Sequence, residues 1–131
     1  DVRLRIKELT GGHGADVVYD PVGGDLFTAS LRSMAFEGRI LVIGFAGGGV
    51  PQIPANHLLV KNVDVIGVNW PAYADMRPQL MSESFRRLMQ WMVDGAIKPH
   101  VSATYPLARA VEALNQVLSR KSTGKVVIVM N

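Results

Sequence analysis

Three short groups of residues in this chain fall where apolar runs stop: Asp20 to Gly23, Gly44-Phe45-Ala46, and Val68-Asn69-Trp70. Each carries glycine or another small residue close to the end of the run. Glycine has no Cβ, so the backbone there can bend sharply and approach a ligand closely. In open α/β sheets, ligands bind in the crevice beyond the carboxyl ends of the strands. Three such ends side by side suit a flat, extended ligand lying across the sheet, such as a dinucleotide. The G-x-G-x-x-G fingerprint that cradles a pyrophosphate is absent. Neither Gly11-Gly12-His13-Gly14 nor Gly47-Gly48-Gly49 has its spacing, and the first precedes a strand where the fingerprint should follow one. A pyrophosphate site is therefore expected outside this stretch of chain.

Residues able to break bonds are sparse. His13, His57 and His100 lie far apart with no metal-ligand or helical spacing, and there is no cysteine to supply a thiolate. Neither a G-x-S-x-G elbow nor an H-E-x-x-H helix occurs. Asp20 at a strand end reads two ways, as an acceptor for a ribose hydroxyl or amide, or as a turn-capping aspartate before Pro21. Tyr73 and Tyr105 carry phenols, but Tyr105 precedes Pro106 in what reads as packing context. No catalytic acid or base and no metal ligand is assigned. Hydride transfer is one reaction that proceeds largely on how a cofactor is positioned.

The elements that must place these groups follow from periodicity. Val2, Ile6 and Leu9 mark one face of an opening helix, stopped by Gly11-Gly12. Asp16 to Asp20 is a short strand ended by Pro21. Asp25 is expected to cap a helix with Phe27, Leu31 and Met34 on its inner stripe and Gly38 at its end. Ile40 to Ile43, closed by Gly44, is a continuous apolar run of the kind buried on both faces of a parallel sheet. After a Pro-rich loop, Asn56 is expected to cap a short helix, His57 to Lys61. Val63 to Val68 reads as an edge strand, because Asp64 interrupts its apolar run. Asp75 precedes a long helix with Met81, Phe85, Leu88 and Met92 on one face, expected to pack into a core. Val101 to Tyr105 is a weaker strand. Leu107, Ala110, Val111, Leu114 and Leu118 mark a helix with Arg120-Lys121 at its negative end, and Lys125 to Met130 is a strand. Strands alternating with helices over short connections give parallel pairing with right-handed crossovers, a doubly wound α/β fold.

Composition narrows the function classes. The chain has 131 residues, 48% hydrophobic and 19% charged, with no cysteine and a formal net charge of +3. That is enough for about one domain with a core of its own. The basic residues are scattered and do not interleave with the two tryptophans and three tyrosines, so nucleic acid is not an expected partner. No apolar run approaches the roughly 20 residues of a membrane span, and no membrane partner is expected. A cytoplasmic location is the default expectation. The chain opens at Asp1, without an initiator Met and at the first turn of a helix, so we expect a piece of a longer protein.

The succession GADVVYDPVGG (Gly14 to Gly24), EGRILVIGFAGG (Glu37 to Gly48), VDVIGVNW (Val63 to Trp70) and YPLARAVEAL…STGKVVIV (Tyr105 to Val129) resembles the quinone oxidoreductase branch of the medium-chain dehydrogenase/reductase superfamily. The resemblance covers essentially the whole chain, in order. It implies a zinc-independent, NADPH-dependent reductase of quinones or other activated enones, with NADH left open as the cofactor. Residues 1–97 would be the second half of a Rossmann cofactor domain. Residues 98–131 would be a β-α-β segment returning to a catalytic domain whose residues lie upstream. The resemblance implies nicotinamide-side contacts from Gly44, Phe45 and Ala46, and from Gly67, Val68 and Asn69 at the next strand end. It implies contacts to the middle of the cofactor from Val22, Gly23 and Gly24 in the turn after Asp20, and adds Lys125. The strand Val63–Val68 resembles one that pairs across a homodimer. The piece alone is expected to be inactive. Two other readings stand beside this one: an enoyl or acryloyl thioester reductase of the same superfamily, and a non-catalytic α/β binding or dimerisation module.

Overall fold

The computed structural model describes residues 1–130. The chain forms two compact units, Asp1–Pro78 and the part from Gln79 onward. In the first unit, helix α1 (Val2–Leu9) leads to strand β1 (Ala15–Asp20), helix α2 (Gly24–Arg32), strand β2 (Met34–Val42), helix α3 (Ala55–Lys61) and strand β3 (Asp64–Gly67). A 3-10 turn (Trp70–Ala72) and the short helix α4 (Tyr73–Met76) complete it. The three strands form one parallel sheet in the order β1-β2-β3. This is the α/β, Rossmann-type parallel arrangement that the alternation of strands and helices predicts.

The core of this unit is Phe27, Leu31, Met34, Ile40 and Val63, with Ala15, Val18, Val42, Leu58 and Val65 packed against it. Phe27 and Leu31 lie one helical turn apart, so the inner stripe of α2 is the expected one. Its end is not. The helix stops at Arg32 with Ser33 as its C-cap, and Met34 already pairs with Ala15 in the sheet. Pairing then slips: Ala15 opposes Met34 but Val17 opposes Arg39. The extra residues form a bulge in which Glu37 adopts φ 59°. At Gly38 a Cβ would come 2.6 Å from Met34 Cε and 3.0 Å from the Ala15 carbonyl oxygen. Gly38 is thus needed inside the bulge, and the regular ladder begins at Arg39.

Three capping expectations are also displaced. Gly23, with φ 73°, is the N-cap of α2, and Asp25 sits in the first turn. Pro54 precedes α3, placing Asn56 inside it. Asp75 belongs to α4 rather than to the start of the long helix.

The long helix α5 (Pro78–Val93) starts at Pro78, a residue suited to a first helical position because its missing N–H needs no partner there. None of its residues is buried, so Phe85, Leu88 and Met92 face solvent in this chain rather than a core. In the second unit, strand β4 (Val101–Pro106), a 3-10 turn (Leu107–Arg109), helix α6 (Ala110–Leu118) and strand β5 (Lys125–Val129) form a parallel β-α-β unit. Ala113 is the buried residue of α6, while Val111, Leu114 and Leu118 are exposed. The Tyr105 hydroxyl donates to Gln116 Oε1 and ties β4 to the helix. Gly124 has no room for a Cβ, which would collide with the His100 carbonyl.

Candidate functional site

Parallel pairing puts the carboxyl ends of β1, β2 and β3 on one edge of the sheet, and the register makes them flush. Asp20 is the partner of Val42, and Val42 of Gly67. From this row the chain turns away three times. Asp20 holds the first turn: its Oδ1 accepts from the amides of Val22 at 2.8 Å and Gly23 at 3.0 Å. Its backbone carbonyl accepts from Ile43 at 2.9 Å and Gly44 at 3.4 Å. One residue therefore fixes the exits of two strands.

The loops after β1 and β2 are then joined by their backbones. Ala46 donates to the Pro21 carbonyl at 3.0 Å, Gly47 to Val22 at 2.8 Å, and Gly24 to Gly49 at 3.0 Å. This closeness accounts for two of the glycines. A Cβ on Gly47 would stand 2.9 Å from the Val22 carbonyl oxygen, and one on Gly23 would stand 2.8 Å from that of Gly49 and 3.0 Å from Phe45 Cδ1. Gly23 also needs its positive φ. These glycines serve the packing of loop on loop, where the sequence suggested approach to a ligand. Gly49 has a structural part that sequence reasoning missed, although the glycine run containing it was visible.

Other positions on the same edge are open. A Cβ on Gly24 or Gly67 would meet nothing within 4 Å, although Gly24, with φ 57°, also needs glycine for its backbone conformation. Gly44 is close to the Pro21 carbonyl oxygen only at an ordinary 3.5 Å. The Phe45 ring stays 43% exposed while its edge lies against Gly23. Val68 donates to the Val42 carbonyl at 2.9 Å, which sets Asn69 beyond the flush row. Beyond it again, Trp70 and Tyr73 stack with ring centroids 5.4 Å apart.

The structure thus brings together Asp20, Val22, Gly23, Gly24, Gly44, Phe45, Ala46, Gly67, Val68 and Asn69 along one sheet edge of the first unit. Lys125 opens β5 in the second unit, where its amide donates to the His100 carbonyl at 2.8 Å. Asp20 is buried at 4% exposure. Its Oδ1 fulfils the turn-capping reading, and its Oδ2 is buried with no hydrogen-bond partner. The open positions at Gly24 and Gly67, and the exposed Phe45 ring, fit a planar ligand laid across the strand ends. Tyr105 is engaged with Gln116, and Arg109 lies 5.3 Å from the centroid of its ring.

The profile of the family described as "Zinc-binding dehydrogenase" matches residues 1–128. The chain belongs to that family. A quinone oxidoreductase-like protein 2 homolog of Nematostella vectensis is 46% identical over 129 residues, which are 98% of this chain and 35% of that protein. Among solved structures, a quinone oxidoreductase of Pseudomonas syringae pv. Tomato DC3000 superposes with a TM-score of 0.82 at 30% identity, covering 99% of this chain and 40% of the other. A mycobacterial protein solved in complex with NADPH superposes with a TM-score of 0.80 at 33% identity, covering 98% and 40%. The resemblance to quinone oxidoreductases of the medium-chain superfamily is borne out. The chain is of an oxidoreductase family, and it spans about a third of the length of the curated relatives it matches.

The family description names zinc, but the donors of this chain do not suit a zinc site. It has no cysteine. His13 precedes β1, His57 lies in α3 and His100 precedes β4. Among the described residues no group of three or more His, Asp or Glu side chains gathers around a common point. No described helix is long and apolar enough to cross a membrane.

Proposed function

We propose that the chain is the nicotinamide-side half of the cofactor domain of an NADPH-dependent, zinc-independent reductase of quinones or activated enones. The observation that carries the reading is the flush row Asp20–Val42–Gly67 with side-chain-sized openings at Gly24 and Gly67. A relative of similar fold that was solved with NADPH supports it. Bound NADPH would supply a hydride, and the acceptor would take up a proton as well, giving a hydroquinone or a saturated carbonyl compound.

This chain's own part is to bind and orient. The joined loops present Gly44, Phe45 and Ala46 as one wall, with the Phe45 ring excluding water from the face it covers. Gly67, Val68 and Asn69 form a second wall whose missing side chain leaves room for a ring. Asp20 fixes the turn Val22-Gly23-Gly24 that would face the middle of the cofactor. Lys125 is carried along as a further contact.

Residues 1–97 would form the cofactor half and residues 98–131 the segment that returns to a catalytic domain, so the 131-residue piece alone would be inactive. A homodimer through the Val63–Val68 edge strand belongs to the same reading, because β3 is paired on one side, by β2, among the described residues; a cytoplasmic location is part of the reading as well. The test is oxidation of NADPH by the full-length protein with simple quinones and enones. Failure with every such acceptor would overturn the reading, whereas turnover restricted to enoyl thioesters would move the substrate class within it.

A second reading is a binding or dimerisation module that acts through the edge of β3. It is favoured by the missing glycine fingerprint and by the lack of an assigned acid or base. Sedimentation at high micromolar concentration tests it, and a monomer there would rule out the dimerisation form.

A further inference from the structure

The opposite edge of the same sheet carries a second set of side chains. Gly12 to Gly14 lead into β1, Ser33 precedes β2 and Met34 opens it, and Lys61 shortly precedes β3. Around these amino ends lies a cavity of about 340 Å³ whose lining includes Arg3, Lys7, His13, Arg32 and Lys61. A second cavity of about 200 Å³ shares Arg3, Arg32 and Lys61 with it, and adds Leu31, His57 and Val60.

Among the described residues the charges there are poorly compensated. Arg3, Lys7 and Arg32 form no ion pair among the described residues; those present are Arg5–Glu8, His13–Asp16 and Arg109–Glu112. The one carboxylate in either lining is that of Asp1, and its Oδ1 is occupied by the amides of Arg3 and Leu4. Lys61 Nζ donates to the Met34 carbonyl at 2.7 Å and the Arg32 carbonyl at 3.4 Å. That caps the end of α2 and leaves one of the three ammonium donors free. Helix-end placement alone explains Arg32 and Lys61, which complement the negative ends of α2 and α3. It does not explain the convergence of Arg3, Arg32 and Lys61 on both cavities.

We infer that these paired cavities form an anion site for a small organic phosphomonoester, separate from the cofactor edge. The dianionic phosphate would lie between Arg3, Arg32 and the free donor of Lys61, where guanidinium forks suit phosphate oxygens. Its organic body would lie along Leu31 and Val60. The larger cavity, at about 340 Å³, is by itself in the range of small-molecule sites. The inference stands on these residues alone and is independent of whether the cofactor reading holds.

The test is calorimetric titration of the full-length protein with phenyl phosphate, repeated with saturating NADPH. We expect saturable binding with a Kd at or below about 1 mM that NADPH leaves unchanged. The double variant Arg3→Gln/Arg32→Gln should weaken it at least tenfold, and Arg86→Gln, a basic residue elsewhere, should not. Lys7→Gln on the exposed face of α1 provides an independent variant with a smaller loss should the double variant fold poorly. Absence of saturable binding, as when another part of the full-length chain fills the cavities, would overturn the inference. So would competition by NADPH, or equal weakening by Arg86→Gln.

Discussion

At the scale of single residues, the glycines of one sheet edge divide into two kinds. Gly67→Ala adds a methyl into space that no atom of the chain occupies. Stability should change by no more than about 0.5 kcal/mol, while NADPH binding by the full-length protein should weaken about tenfold if the nicotinamide lies there. Fluorescence titration of the cofactor, with chemical denaturation alongside, separates the two effects. Gly47→Ala should do the reverse. Its methyl meets the Val22 carbonyl oxygen at 2.9 Å, so the joined loops must part, at a cost of about 1–3 kcal/mol read as a lowered denaturation midpoint. Phe45→Asp tests the wall between these glycines: a carboxylate facing bound nucleotide in a desolvated site should weaken cofactor affinity, and unchanged affinity would mean the wall is elsewhere. The position of the edge was legible in the runs ending at Asp20, Gly44 and Val68, the last of which the structure ends one residue earlier, at Gly67. Which glycine makes room for a neighbouring loop and which leaves room for a ligand was not, because that depends on what a Cβ would meet across a tertiary contact. Asp20 shows the same limit. Its spacing before Pro21 allowed a capping role, and only the fold reveals that its carbonyl also fixes the β2 exit.

At the scale of elements, the strands and helices were legible in kind and their ends were not. The repeat Phe27-Leu31-Met34 reads as helix through Met34, yet Ser33 ends α2 and Met34 enters the sheet. Competition for the backbone decides this: the Ser33 carbonyl accepts from Ala15 and the Met34 carbonyl from Lys61, partners distant in sequence. The resulting bulge holds Glu37 at φ 59°, a left-handed conformation that costs a side chain roughly 1 kcal/mol. Glu37→Gly should therefore stabilise the protein by about 0.5–1 kcal/mol, visible as a higher urea midpoint at unchanged slope. In α6 the sign of the acidic partner can be tested as well. The Glu112 carboxyl is held below its usual range by the hydrogen bond from Arg109. Its folded pKa is depressed, so its small stabilising contribution is present above the ordinary glutamate range and lost as pH falls through the folded value. Glu112→Gln should flatten the acid side of a stability profile slightly and leave neutral pH almost unaffected, as expected of an exposed pair.

At the scale of the whole molecule, the amphipathic patterns of α5 and α6 carry more information than this chain uses. Periodicity reports that a helix has an apolar face, but it cannot say what covers that face. In α6 the small residue Ala113 faces β4 and β5, while Val111, Leu114 and Leu118 remain in solvent. An exposed apolar stripe of that size is unusual on a finished surface, and the chain spans about a third of its curated relatives. If residues 98–131 return to a catalytic domain, that stripe is covered in the full-length protein. Leu114→Lys then separates the two readings of function. In the 131-residue chain, where Leu114 is already exposed, the substitution should leave the unfolding midpoint unchanged. In the full-length protein it should bury a charge against an apolar surface and lower stability by about 1–3 kcal/mol, with a matching fall in the melting temperature. Equal, negligible effects in both would mean that nothing covers this face, and the module reading would gain over the reductase.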